Sequence, residues 1–234
     1  VHIFVTEEFL PDKLVKFERG SHLEKEAVLK LNATRNFHTG IYPYSLMTSV
    51  FTPIHTSKPT LKTSTSIQEW CGHVYAQVLR RGDGYRIQSH SYFQDAADHD
   101  LVLPAVLLED EIWTRIRLAP EALPSGKLLV VPGAEYLRLQ HKSYDPIAAE
   151  AQIVTADREM NYRITYADLQ RTLSIRFEKE FPFRIQGWEE SGPDGWGKKR
   201  QMLTTIARRT HSIQLDYWNH NSVSDEILRK ELGL

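Results

Sequence analysis

The chain has 234 residues, of which 41% are hydrophobic and 25% charged, and its net charge is −1. That length and composition predict a folded chain with a substantial core, and near-neutrality supplies no global field to attract nucleic acid or an anionic surface. No apolar run approaches the roughly 20 residues that span a bilayer as a helix, and one cysteine excludes an internal disulfide framework or a multi-cysteine zinc site.

The opening residues "VHIFVTEEF" read as a strand (1–6) and lack a starting Met, so an upstream signal peptide, anchor or first strand is expected to precede them. Further strands are expected at 26–32, 45–52 and 60–67. In "QEWCGHVYAQVLRRGDGYRIQSHSYF" (68–93), Asp83-Gly84 marks a hairpin between two alternating runs. Tyr85, Ile87 and Phe93 share one face there, and Arg86, Gln88 and His90 the other. The segment "PAVLLEDEIWTRIRL" (104–118) has a helical period, with Pro104 in a first-turn position. Leu108, Ile112 and Ile116 line one side, and Glu111 and Arg115 form a surface pair.

Strands follow at 127–131, 134–141 and 149–156. "NYRITYA" sets Tyr162, Ile164 and Tyr166 on one face. "RTLSIRFEK" opposes Leu173, Ile175 and Phe177 to Thr172, Ser174 and Arg176. Strands 181–188 and 202–217 are separated by the turn-rich "SGPDGWG" (191–197), and "LPSG" (123–126) is another break. A last helix in "SVSDEILRKELGL" is capped by Ser222 or Ser224. The pattern predicts one β-rich domain over 1–234: a large, twisted antiparallel sheet curled towards a barrel or half-barrel, with one or two helices.

Five groups of residues carry candidate chemistry. Cys71 and His73 share a strand face, but a nucleophilic thiol needs a depressed pKa, and a buried packing cysteine is the expectation. His90, Asp95, Asp98, His99 and Asp100 have the ligand types for a metal, set against a solvated loop that leads into the 104–118 helix. "GPDGWGKK" (192–199) fits G-x-x-x-x-G-K but places Lys199 where a phosphate loop needs Ser or Thr, so a hairpin loop is expected. Glu178, Glu180, Glu189 and Glu190 are carboxylates for acid–base work without a known separation. Tyr42, Tyr44, Trp70, Tyr92, Trp188 and Trp196 are the candidate ligand contacts, Trp218 being a further ring able to line a cavity. Aromatic filling of the sheet core is the alternative. No catalytic residue and no cofactor is assigned.

The blocks "TRNFHTGIYPYSLMTSVFTP" (34–53), "QEWCGH" (68–73), "LLEDEIW" (107–113), "TLSIRFEKEFPFRIQGWEE" (172–190) and "DYW…LRKELGL" (216–234) cover nearly the whole chain. They resemble a family of bacterial exported proteins, often with a lipoprotein signal upstream, that sometimes bear the label "septum formation inhibitor Maf". True Maf proteins are α/β pyrophosphatases with an S-x-S-P-R-R-like motif. That motif is absent here, so the label is a misassignment. The resemblance implies export, a periplasmic or outer-membrane-associated location, and membrane attachment through an upstream lipid anchor; it implies no activity. In that compartment burial would protect Cys71.

The leading expectation is therefore a non-enzymatic envelope protein that takes an apolar or amphipathic, lipid-like ligand, or an envelope protein partner, on a concave sheet face, with no nucleic acid. A metal- or carboxylate-dependent hydrolase is the alternative from another class. Structural assembly through an exposed sheet edge is a third.

Overall fold

The computed structural model describes residues 1–20, 24–55, 57–156 and 158–234. Eight strands build the first sheet: β1 (His2–Leu10), β2 (Val15–Lys16), β3 (Glu26–Thr39), β4 (Tyr42–Pro53), β5 (Lys62–Glu69), β6 (Gly72–Arg81), β7 (Gly84–Ser91) and β8 (His99–Pro104). Their spatial order is β2-β1-β3-β4-β5-β6-β7-β8, antiparallel throughout, so apart from the β1–β3 pairing each strand pairs with a sequence neighbour. The second sheet runs β15-β14-β13-β12-β11-β10-β9. Its members are β9 (Leu107–Leu108), β10 (Gly126–Val131), β11 (Ile147–Thr155), β12 (Glu159–Tyr166), β13 (Arg171–Glu178), β14 (Ile185–Asp194) and β15 (Gln201–Arg208). Only the short β9–β10 contact is parallel. The protein is mainly β, as its alternation predicts. Neither sheet closes on itself, so the form is a half-barrel of two sheets rather than one curled sheet.

Two short helices, α1 (Ile112–Leu118) and α2 (Ala134–Leu139), lie between the sheets and join their cores. From α1, Ile112 and Ile116 enter the second sheet's core beside Tyr162, Ile164, Ile175 and Phe177. The opposite side of α1 meets the first sheet through hydroxyls: Thr114 Oγ1 is 2.6 Å from Thr52 Oγ1, which is 2.9 Å from Thr60 Oγ1. Buried hydroxyls need such partners, since an unpaired one costs about 1–3 kcal/mol. Leu137 of α2 and Leu108 complete a second cluster with Val78, Tyr85 and Ile87. By strand parity a third cluster, Phe9, Leu14, Val28 and Leu79, sits on the far face of the first sheet.

Several expectations change. Residues 134–141 are not a strand: Gly133 precedes α2, the Leu137 N–H bonds back to the Gly133 carbonyl at 3.0 Å, and Ala134 and Leu137 are buried one turn apart. The helix expected over 104–118 begins only at Ile112, because His99–Pro104 pairs with β7 as an edge strand. Strand 202–217 ends at Arg208. The Glu111–Arg115 pair forms at 2.9 Å, but Glu111 is buried rather than on the surface. The hairpin in 68–93 is present, with Arg81 opposite Gly84, so its tip is Gly82-Asp83. Positive φ falls on Gly82 (+53°) and not on Asp83, the pattern of a II′ turn, which needs Gly at the first central position. Cys71 is exposed, not buried, because it occupies the β5–β6 turn. Near the C-terminus, Ser222 is the N-cap of the 223–226 turn, its N–H donating to the Asp225 carboxylate at 3.0 Å, and α3 (Ile227–Glu231) follows.

Candidate functional site

The sheets separate at one side to leave a cleft of about 230 Å³. Its walls come from β1, β3 and β4 of the first sheet and from β13, β14 and β15 of the second, and its floor from the turn before α1 and the start of α2. Four carboxylates converge there: Glu109, Asp110, Glu135 and Glu190. Trp113, Trp188 and Tyr136 supply ring surface, and Leu31, Val50 and Leu173 supply aliphatic surface.

Arg171 organises this set. It is 2% exposed and lies on the inward face of β13, in the same parity as Leu173, Ile175 and Phe177. Its Nη1 and Nη2 donate to the Glu109 carboxylate at 2.5 and 2.7 Å, and its Nε donates to Glu190 at 2.7 Å. The guanidinium also lies 4.1 Å from the Tyr136 ring centroid and 5.2 Å from that of Tyr166. Tyr166 donates its hydroxyl to Glu109 at 2.6 Å. Burial alone would push the Glu109 carboxyl up. Arg171, the Tyr166 hydroxyl and the Gly133 N–H outweigh it and hold that carboxyl below its ordinary range.

Asp110 differs from its neighbour. It accepts from the Ala134 N–H at 3.2 Å and has no ion-pair partner among the described residues. Burial, aided by the charges of Glu109 and Glu135, pushes its carboxyl up to about 7. Glu135, in the first turn of α2, is raised by burial but is partnered by Arg35 at 3.2 Å and by the Thr48 hydroxyl at 3.1 Å. Gly133 makes the convergence feasible: a methyl group there would stand 2.8 Å from Glu109 Oε1 and 3.1 Å from Asp110 Oδ1.

Of the six candidate ligand contacts, Trp188 lines the cleft, 6.5 Å from Trp113 by ring centroid and under the Arg35 guanidinium at 5.2 Å. Tyr42, Tyr44 and Trp70 form a cluster of their own, with Tyr42 between the other two at 5.4 and 5.5 Å. They sit at one end of the first sheet, outside the cleft, and Tyr92 is beside them against Gly72. Trp196 is exposed in the β14–β15 turn and meets His141 at 5.3 Å. Trp218 is exposed near the C-terminus.

The metal candidates scatter into pairs. His90 Nδ1 is 3.0 Å from Asp98, Asp100 forms a two-point pair with Arg86, Asp95 lies exposed in the turn between β7 and β8, and His99 begins β8. Among the described residues no group of three or more His, Cys, Asp or Glu side chains is placed to hold a metal ion. The stretch 192–199 ends β14 and forms most of the antiparallel turn to β15. Glu178 is tied to Arg184 and Arg209, whereas Glu190 reaches the cleft.

Sequence reasoning missed Glu109, Asp110, Glu135, Arg35 and Arg171. A signal existed for Arg171, a charge in the buried parity of an apolar strand, and for Gly133, which follows a proline directly before three polar and apolar positions of mixed period. The chemistry of the assembled cleft is that of an acceptor-rich pocket: both arginines are engaged by carboxylates, and among the described residues the Asp110 carboxyl forms no ion pair. Comparison with protein-family models, with curated proteins and with solved structures finds no match to this chain.

Proposed function

We propose that this chain is a binding protein of the bacterial envelope, which holds a small amphipathic ligand in the cleft between its two sheets. One observation carries the reading: aromatic and aliphatic walls meet an acceptor-rich floor in which Asp110 has no ion-pair partner among the described residues. Such a site takes an apolar body along Trp113, Trp188, Leu31 and Leu173, and a head group that donates hydrogen bonds, an ammonium or a set of hydroxyls. An anionic head would face Glu109, Asp110, Glu135 and Glu190 with both arginines already paired, so fatty-acid-like ligands are disfavoured. The envelope location rests on the sequence blocks that resemble exported proteins.

The test is a fluorescence titration, read through Trp113 and Trp188, with short n-alkyl amines, n-alkyl glycosides and n-alkyl carboxylates. Saturable binding of an amine or glycoside is expected, weakened about tenfold or more in Glu135→Gln or Trp188→Ala. Equal or tighter binding of the carboxylates contradicts the reading.

A second reading has its own observation. Asp110, with a carboxyl near 7, stands beside Glu109 and Glu135, an arrangement suited to acid–base hydrolysis. Turnover of nitrophenyl glycosides or esters that disappears in Asp110→Asn would favour it over carriage.

A further inference from the structure

Three alternate hairpins of the first sheet turn at the same end: β3–β4, β5–β6 and β7–β8. Each tip carries a large apolar side chain out in solvent, Ile41 at 82%, Trp70 at 64% and Tyr92 at 76% exposure. Contacts tie these tips together. The Tyr42 and Trp70 rings are 5.5 Å apart, the Cys71 N–H donates to the Tyr42 hydroxyl at 2.8 Å, and a methyl on Gly72 would come within 2.9 Å of Tyr92. The second sheet contributes a fourth tip at the same end. Trp196, 71% exposed in the β14–β15 turn, meets His141 just past α2, whose Arg138 lies 4.1 Å over the Phe93 ring beside Tyr92. At the opposite end the β6–β7 tip is Gly82-Asp83, with no large apolar side chain.

We infer that this end of the half-barrel is a membrane-docking surface, in which Ile41, Trp70, Tyr92 and Trp196 enter the headgroup zone of an anionic bilayer. Several features select a bilayer over a protein partner. The side chains are convex points on four separate turns rather than the lining of a groove, and a fluid interface accommodates separate points without shape complementarity. Their types suit that zone, since Trp and Tyr rings concentrate where an apolar body meets water. Basic residues flank the fourth tip, with Lys198, Lys199 and Arg200 all exposed directly after Trp196, which complements anionic headgroups. Of the acids at this end, Glu69 is turned inward and bonded to Tyr42 and the Cys71 N–H, whereas Asp98 is exposed and paired with His90, and Asp95 and Asp194 are exposed. The inference stands on these tips alone and is independent of what the cleft holds.

The test is co-flotation of the whole chain with vesicles of phosphatidylcholine mixed with phosphatidylglycerol, repeated with phosphatidylcholine carrying brominated acyl chains. Wild type is expected to float with the vesicles and to have its tryptophan emission quenched. The variant Ile41→Ser/Trp70→Ser/Tyr92→Ser/Trp196→Ser is expected to bind at least about tenfold more weakly, because four apolar side chains no longer leave water. Its unfolding midpoint should match wild type, the four side chains being outside the core. Lys198→Gln/Lys199→Gln/Arg200→Gln should lose about fivefold in affinity per charge removed, with the loss shrinking as salt rises. No flotation of wild type overturns the inference. So does unchanged flotation of the four-tip variant, or binding abolished instead by Trp218→Ser.

Discussion

Replacing Arg171 with Met leaves Glu109, 4% exposed, without the two guanidinium bonds of 2.5 and 2.7 Å that neutralise it, and frees Glu190 as well. Breaking a buried pair by removing one partner costs about 3–5 kcal/mol, mostly the penalty of the charge left behind. For a chain of this size each kcal/mol moves the thermal midpoint by about 2–4 °C, so a fall of about 6–20 °C is expected. The pH dependence gives a second check. In wild type the Glu109 carboxyl is held low, so its contribution is present above its ordinary value and lost as pH falls through the depressed one. In Arg171→Met the balance reverses, because burial is then opposed only by the Tyr166 hydroxyl and the Gly133 N–H. Glu109 prefers its neutral form, and the defect should shrink as pH is lowered towards 4. Adding Glu109→Gln removes the stranded charge while keeping an acceptor for Tyr166, and should recover about half of the loss. Urea titrations at pH 4.5 and 7.5 measure all of this. A loss below about 1 kcal/mol at pH 7.5, or no recovery in the double variant, would refute the reasoning.

Asp110 makes the opposite pH prediction. Its carboxyl is raised to about 7, so its neutral form stabilises the fold below about pH 4, and that contribution is lost as pH rises through 7. Asp110→Asn should therefore be more stable than wild type at pH 8 by about 1–3 kcal/mol, discounted for the part of the group that still meets water, and equal to it near pH 4. Carboxyl NMR of wild type should show a titration near 7; a midpoint near 4 refutes the account. Gly133→Ala should cost about 1–3 kcal/mol, since the added methyl overlaps both Glu109 and Asp110. A neutral result in urea would mean that the two carboxylates do not approach the α2 entry. Cys71 should react fully with a disulfide reagent in the native state, and Cys71→Ser should change stability by less than about 0.5 kcal/mol. Slow, unfolding-limited labelling would place the thiol inside.

The strands were legible wherever one face is buried. The alternation of Tyr162, Ile164, Tyr166 and of Leu173, Ile175, Phe177 gives the core of the second sheet directly. The Asp83-Gly84 signal located the β6–β7 hairpin but placed its tip one residue late, because the sequence GDG has glycine on both sides of Asp83 and only register decides between them. Short segments failed. Residues 134–139 are too few for a 3.6 period to separate from a 2.0 period, and packing between the sheets, not local pattern, settles them as helix. The run from Pro104 to Leu118 mixes an edge strand with a helix, since β8 needs β7 as a partner and that partnership is invisible locally.

The cleft was less legible for a reason of distance. Glu109 meets Arg171 across 62 residues, and Arg35 meets Glu135 across 100. No local window brings these side chains together. The aromatic candidates divide by topology: hairpin tips carry Trp70, Tyr92 and Trp196 to one end, and strand parity turns Trp188 inward. Cys71 shows the same lesson in reverse. Free cysteine is most often buried, but a two-residue turn leaves it no interior to enter.

The most direct test of the cleft as a carrier site is native mass spectrometry of protein purified from the cells that make it, alongside Ala33→Trp, which fills the cleft from the β3 wall. A small molecule retained by wild type, released on denaturation and missing from the filled variant is the result this account predicts. A bare wild-type mass, or an adduct retained equally by both, would contradict it.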